Sequence, residues 1–188
     1  MLERVLVIAA TERELAPADG WRVLRCGVGP VEAASRTAAA LAVHRPVAVL
    51  HVGIAGARET SRLVPPTLVI GSAALYCDLG VPPEWAPSHL EPDVRLRGAA
   101  ARAMPGAVTR AIGTAGRVGA THGCDVEGME GFAVLRAAAL AGVPAIEIRA
   151  IANAIEETDR RRWRFDEAFA AIVGVTPALV TEIAACVS

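Results

Sequence analysis

Short apolar runs, each ended by a turn and most followed by an alanine-rich stretch, constrain this chain more than any other feature. Residues 4–10 (RVLVIAA) have no polar residue between Arg4 and Thr11. A strand with that pattern must be covered on both faces, as in the sheets of α/β proteins. Similar strands are expected over residues 21–26, 46–53 running into 54–57, 66–77 and 107–114, and in the run that follows the Gly142-Val143-Pro144 turn and ends at Asn153. Helices are expected over residues 30–44, with Pro30 at the first position and His44 in the last turn, over 93–104 on the surface, and from Met129-Glu130 onward. The carboxyl-terminal region reads as two helices. One runs over residues 163–173; after Gly174, Thr176 as N-cap and Pro177 as first residue start another that reaches residue 187. Strands alternating with helices argue for an α/β fold, a mixed, mostly parallel central β-sheet flanked by helices. A length of 188 residues suits a single domain over residues 1–188.

Composition narrows the function classes. With 53% hydrophobic residues but 4% aromatics, the core must be built from Ala, Val, Leu and Ile. A net charge of −1 offers no general attraction to nucleic acid or an anionic membrane. No apolar run approaches the roughly 18–20 residues that span a bilayer, and Glu3, Glu12 and Glu14 argue against a signal peptide, so a cytoplasmic location is expected. Cys26, Cys77, Cys124 and Cys186 form no C-x-x-C pair, and His122-x-Cys124 lacks the partner ligands a zinc site needs. No metal is expected. Residues 81–92 hold Pro82, Pro83, Pro87 and Pro92 and read as an irregular loop over a site or at a subunit contact.

The stretch 125–163 is the candidate site. It places Glu130 at a helix start and Asn153 at a strand end, facing one crevice beyond the carboxyl ends of the strands, where open α/β sheets bind ligands. The chain has no lysine and no glutamine, and Asn153 is its only asparagine. A turn role for Asn153 is the bland alternative. Glu14 follows the first strand, in a turn that otherwise reads as solvated. The glycines of Gly27-Val28-Gly29-Pro30 read as a close-approach turn whose amides face a ligand oxygen. Those around Ile54-Ala55 let backbone pass close to a ligand or another strand. Glu14, residues 53–56, Glu130 and Asn153 are expected to converge.

The motifs AATEREL, GVGPVEAA, VGIAGA, VEGMEG and EIRAIAN, in that order, resemble the purine nucleoside phosphorylase and methylthioadenosine nucleosidase family. YCDLG, Asn153 and the following DRRRW are most similar to its futalosine hydrolase branch. The resemblance implies a nucleoside phosphorylase/hydrolase-like fold and a cofactor-independent hydrolase that cleaves the N-glycosidic bond of a small-molecule nucleoside. It further implies a homo-oligomer, dimer or higher. Glu14 would deprotonate the attacking water and Glu130 would bind the ribose hydroxyls. Met129 would pack on the sugar, with Ile54, Ala55, Gly56, Arg149 and Ala152 completing the pocket. Asn153 stands where adenine-directed relatives carry an aspartate.

That replacement has a chemical reading. A carboxylate accepts from a 6-amino group but repels a 6-oxo group, whereas an amide donates to O6 and accepts from a protonated N7 together. Asn153 therefore favours a 6-oxopurine, futalosine in this branch. One of Arg160, Arg161, Arg162 or Arg164 would meet the carboxylate on the aromatic arm of futalosine. A phosphorylase would instead need an anion site, for which Arg13, Arg58 and Arg117 are the candidates. An adenine-directed nucleosidase and a non-catalytic nucleoside sensor are the remaining alternatives.

Overall fold

The computed structural model describes residues 2–187. Strand β1, Val5–Ala9, is buried along its whole length. Val5, Val7 and Ala9 point into one apolar cluster and Leu6 and Ile8 into a second. This is the two-residue period of a strand with both faces covered, and it explains the unbroken apolar run.

Strands β2 (Arg22–Arg25) and β3 (Ala48–Ala57) flank β1 in parallel. Beyond β3 the order is carried by β4 (Leu68–Tyr76), β5 (His89–Leu90), β6 (Val108–Thr114), β7 (Val126–Gly128) and β8 (Ala145–Ala154). Among the described residues, five of the eight pairings are parallel, in keeping with the mixed, mostly parallel sheet expected. The sheet is not open throughout, however. β3 pairs with β8, β8 with β4, β4 with β6, β6 with β7, and β7 returns to β3, so five strands form a closed ring. The closing strand β7 falls where the sequence led to no expected strand, because three residues are too few to show a period. Register shifts at Ala55/Gly56 and Gly71/Ala73 supply the local bending that closure requires.

Helix α1, Pro30–His44, has the expected bounds and packs with α3, Gly131–Leu140, on one face of the sheet. Helices α2, Val94–Ala103, and α4, Phe165–Cys186, cover the other. Asp93 caps α2 by accepting from the amides of Arg95 and Leu96. The expected surface helix is half buried, since Leu96, Ala99 and Ala100 face the core. In the proline-rich segment, β5 pairs with the end of β4 and the rest is irregular.

The two expected terminal helices are one. α4 passes through Gly174 and Pro177, and Thr176 is not a cap: its hydroxyl donates back to the Ile172 carbonyl at 2.7 Å. Continuity wins because Ala168, Ile172, Thr176, Leu179, Val180, Ile183 and Ala184 make one buried face across the break. At 22 residues, with an 18-residue window of mean hydropathy 1.8, α4 is long and apolar enough to cross a membrane, contrary to the sequence count, which Gly174 and Pro177 divided. It packs instead against α2, β1, β3 and β8.

Candidate active site

The ends of β1, β3, β7 and β8 and the starts of α3 and α4 surround a cavity of about 250 Å³. Glu14, Ile54, Ala55, Gly56, Met129, Glu130 and Asn153 all line it.

Glu14 ends a 3₁₀ turn, Glu12–Glu14, and reaches back over it, so it is 4% exposed rather than solvated. Its Oε2 accepts from the Thr11 amide at 2.8 Å and the Thr11 hydroxyl at 2.7 Å, and its Oε1 from the Ile54 amide at 3.1 Å. Glu130 occupies the N-cap position of α3 and is equally buried. Its Oε1 accepts from the Gly29 amide at 2.9 Å. The Gly27–Gly29 turn, expected to face a ligand oxygen, thus presents an amide to a carboxylate of the protein itself. Because Gly29 is the N-cap of α1, Glu130 also sits at the positive end of that helix. Gly56 sits at a close approach: a Cβ there would lie 3.1 Å from Ile155 Cγ1 and 3.2 Å from the Asn153 Nδ2. One Asn153 N–H is used locally, on the Ala154 carbonyl at 2.8 Å.

Two residues expected in the pocket do not line it. Ala152 is fully buried in the core beneath α4, because alternation along β8 turns it away from the cavity. Arg149 is 1% exposed and lies behind the wall. Its guanidinium donates to Glu147 Oε1 at 2.7 Å and the Ile54 carbonyl at 3.3 Å, meets His51 Nε2 at 2.7 Å, and stands 3.6 Å from Glu130 Oε2. Burial, then the Arg149 charge, holds His51 well below its ordinary pKa, so it is neutral. Burial pushes the Glu147 carboxyl above its ordinary range, countered by Arg149 and reinforced by Glu130. Burial alone would lower Arg149, but Glu147 and Glu130 keep it above its usual value and charged.

Glu127 also reaches the cavity, yet its oxygens are taken up by the Gly119 amide at 2.6 Å and by the Thr121 amide and hydroxyl at 3.2 and 2.6 Å. It ties down the glycine-rich loop. The wall missed by sequence reading is aromatic: Trp163, Phe165 and Phe169. Ring centroids lie 5.4 Å apart for Trp163–Phe165 and 6.0 Å for Phe165–Phe169. The signal was that three of the chain's seven aromatic residues fall within residues 163–169. Of the anion-site candidates, Arg13 pairs with Asp166, and Arg58 donates to the Thr121 and Cys124 carbonyls.

Residues 19–122 and 116–185 match the phosphorylase superfamily. The chain belongs to that superfamily. A superfamily member from Streptomyces coelicolor, futalosine hydrolase, is 38% identical over 179 residues, spanning 82% of this chain and 76% of its own. The fold recurs in two solved structures. Futalosine hydrolase of Helicobacter pylori has a TM-score of 0.83 at 16% identity, covering 95% of this chain and 97% of its own. S-adenosylhomocysteine nucleosidase of Streptococcus pyogenes has a TM-score of 0.80 at 20% identity, covering 95% of each chain.

Proposed function

We propose that this superfamily member is a cofactor-independent nucleoside hydrolase. It cleaves futalosine, a 6-oxopurine nucleoside, to hypoxanthine and dehypoxanthinyl futalosine, a step of menaquinone biosynthesis in the cytoplasm. The observation that carries the reading is the meeting of Glu14, Glu130 and Asn153 on one cavity wall. The Streptomyces relative supports the choice of substrate.

The geometry allots each group a task. A carboxylate offers about four lone-pair sites. In Glu14, two on Oε2 and one on Oε1 are filled, which leaves Oε1 to accept from and deprotonate water. General-base help of this kind contributes about 10²–10⁴-fold. Glu130 keeps acceptor sites for the ribose hydroxyls, where its charge stabilises the cationic, oxocarbenium-like sugar more than the neutral ground state. Asn153 retains one N–H and its carbonyl oxygen, the pair that O6 and a protonated N7 need. Trp163, Phe165 and Phe169 supply apolar faces. Arg161, Arg162 and Arg164 pair with Asp159, Glu157 and Glu167. That leaves Arg160, stacked 5.6 Å over Trp163, to meet the carboxylate of the aromatic arm.

Water is favoured over phosphate as nucleophile by charge. Glu14, Glu130 and Glu147 surround Arg149, the single buried cation among the described residues, an excess of negative charge that opposes an incoming phosphate dianion. The proposal includes a homo-oligomer, dimer or higher, of residues 1–188 acting as one unit. An apolar groove between α1 and α3, with Val31 76% and Leu140 71% exposed, supports it. The test is release of the free base, hypoxanthine from futalosine and inosine and adenine from methylthioadenosine, without and with phosphate. Release from futalosine without phosphate is expected; cleavage only with phosphate overturns the hydrolase.

A further inference from the structure

Behind the cavity wall lies a layer of ionisable groups to which the reaction assigns nothing. His51 on β3 and Glu147 on β8 are 0% and 1% exposed. Both bind the same guanidinium. A guanidinium has five N–H donors in a rigid fork. On Arg149, Nε donates to Glu147, one Nη1 hydrogen to the Ile54 carbonyl and one Nη2 hydrogen to His51 Nε2. The His51 tautomer is fixed from the other side, since its Nδ1–H donates to the Ile8 carbonyl at 3.0 Å, leaving Nε2 as acceptor. Two donors remain. The second hydrogen of Nη2 is on the group that stands 3.6 Å from Glu130 Oε2. Nη1 shares with Glu14 Oε1 the space that a Gly53 side chain would fill.

Glu147 is also specifically accommodated. It overlaps the place of any side chain at Gly131, where a Cβ would lie 2.1 Å from Oε2. That oxygen is buried without a hydrogen-bond partner. A fully buried carboxylate is costly unless paired, so its position against a bare helix start needs a reason.

We propose that Glu147 and His51 are positioning residues that clamp Arg149 from behind, so that its remaining donors are held between Glu14 and Glu130. The inference rests on the hydrolase reading for its catalytic consequence and on geometry alone for the clamp. Within the layer, Arg149 is the cation, His51 is neutral, and Cys26, pushed up to about 12 by burial and the nearby carboxylates, stays protonated. The charges that face Glu147 are therefore Arg149, Glu130 and, across the guanidinium, Glu14. Removing the Glu147 charge leaves Arg149 shared between two carboxylates instead of three and frees its Nε from the side that fixes it.

The experiment compares wild type with Glu147→Gln, His51→Phe and His51→Gln in futalosine turnover, with kcat and KM determined separately. Misplacement of a catalytic group by about 1 Å costs on the order of 10²-fold. Glu147→Gln keeps an acceptor but no charge, so kcat is expected to fall by roughly that factor with KM little changed. His51→Phe fills the space without accepting, and should be as damaging; His51→Gln, whose carbonyl can accept, should recover part of the loss. A folded Glu147→Gln with wild-type kcat overturns the clamp, as does a fully active His51→Phe. The Arg149 Nε–H resonance separates this from failure of the hydrolase reading. Protection from exchange in wild type and its loss in Glu147→Ala support the clamp whatever the substrate; equal protection in both overturns it.

Discussion

Replacing Gly131 by alanine should destabilise this protein although alanine is the better helix former. At the first position of α3, intrinsic propensity credits alanine with at most about 1 kcal/mol over glycine. Packing opposes it. The added Cβ would lie 2.1 Å from Glu147 Oε2, 2.2 Å from Oε1 and 2.3 Å from Cδ, so the whole carboxylate must move by more than an ångström. It cannot do so freely, because it is 1% exposed and holds Arg149 Nε at 2.7 Å. Breaking a buried pair of this kind costs about 3–5 kcal/mol. The balance is a loss of about 2–4 kcal/mol, which lowers Tm by roughly 4–16 °C for a chain of this size. Urea unfolding and thermal melts measure it. In a Glu147→Ala background the same substitution should cost little, because the colliding atoms are gone. A Gly131→Ala protein as stable as wild type, or more so, refutes the buried Glu147–Arg149 contact on which the reasoning stands.

Asn153→Asp should cut cleavage of inosine and futalosine by about 10²-fold or more, by setting a carboxylate against O6, and raise the relative rate on methylthioadenosine; product assays on the three nucleosides decide it. Arg160→Ala should raise KM for futalosine by up to about fivefold, the modest worth of an exposed pair, and leave inosine unchanged. Equal effects on both substrates would remove Arg160 from the aromatic arm. The pH dependence of stability follows from His51, whose folded pKa lies below the ordinary 6.5. The unfolded state takes up a proton that the folded state refuses, so stability is full above pH 6.5 and is lost as pH falls below it, by up to about 1.4 kcal/mol per unit. Glu147, raised by burial, acts in the opposite sense above the ordinary carboxylate range. The contribution of His51 is therefore read as a difference: between pH 6.5 and 5, wild type should lose stability more steeply than His51→Gln.

The parts of this fold legible in the sequence are those whose physics is local. β1 shows itself because both of its faces are covered, and α1 because Pro30 and His44 mark its ends. Closure of the ring is not legible, since the pairing of β7 with β3 depends on two residues of a three-residue strand. α4 misleads because Gly174 and Pro177 are strong local breakers, while the buried face that overrides them is tertiary. The site divides in the same way. Glu14, Glu130 and Asn153 stand at element ends, where a polar residue after an apolar run stands out. Glu147 and His51 lie inside strands, and nothing in their neighbours marks one buried ionisable residue as the partner of another.

The wall that carries Trp163, Phe165 and Phe169 reaches the cavity on a segment separate from the strands and turns that hold the carboxylates. It is tied to β8 by the Arg164 amide on the Ala152 carbonyl at 2.7 Å, and between them residues 155–163 form a short excursion. Lengthening or shortening that excursion would resize the room offered to a substrate while Glu14 and Glu130 keep their places. Substrate scope and bond cleavage can therefore diverge independently, so a lineage built on this plan can change what it accepts without altering how it cuts.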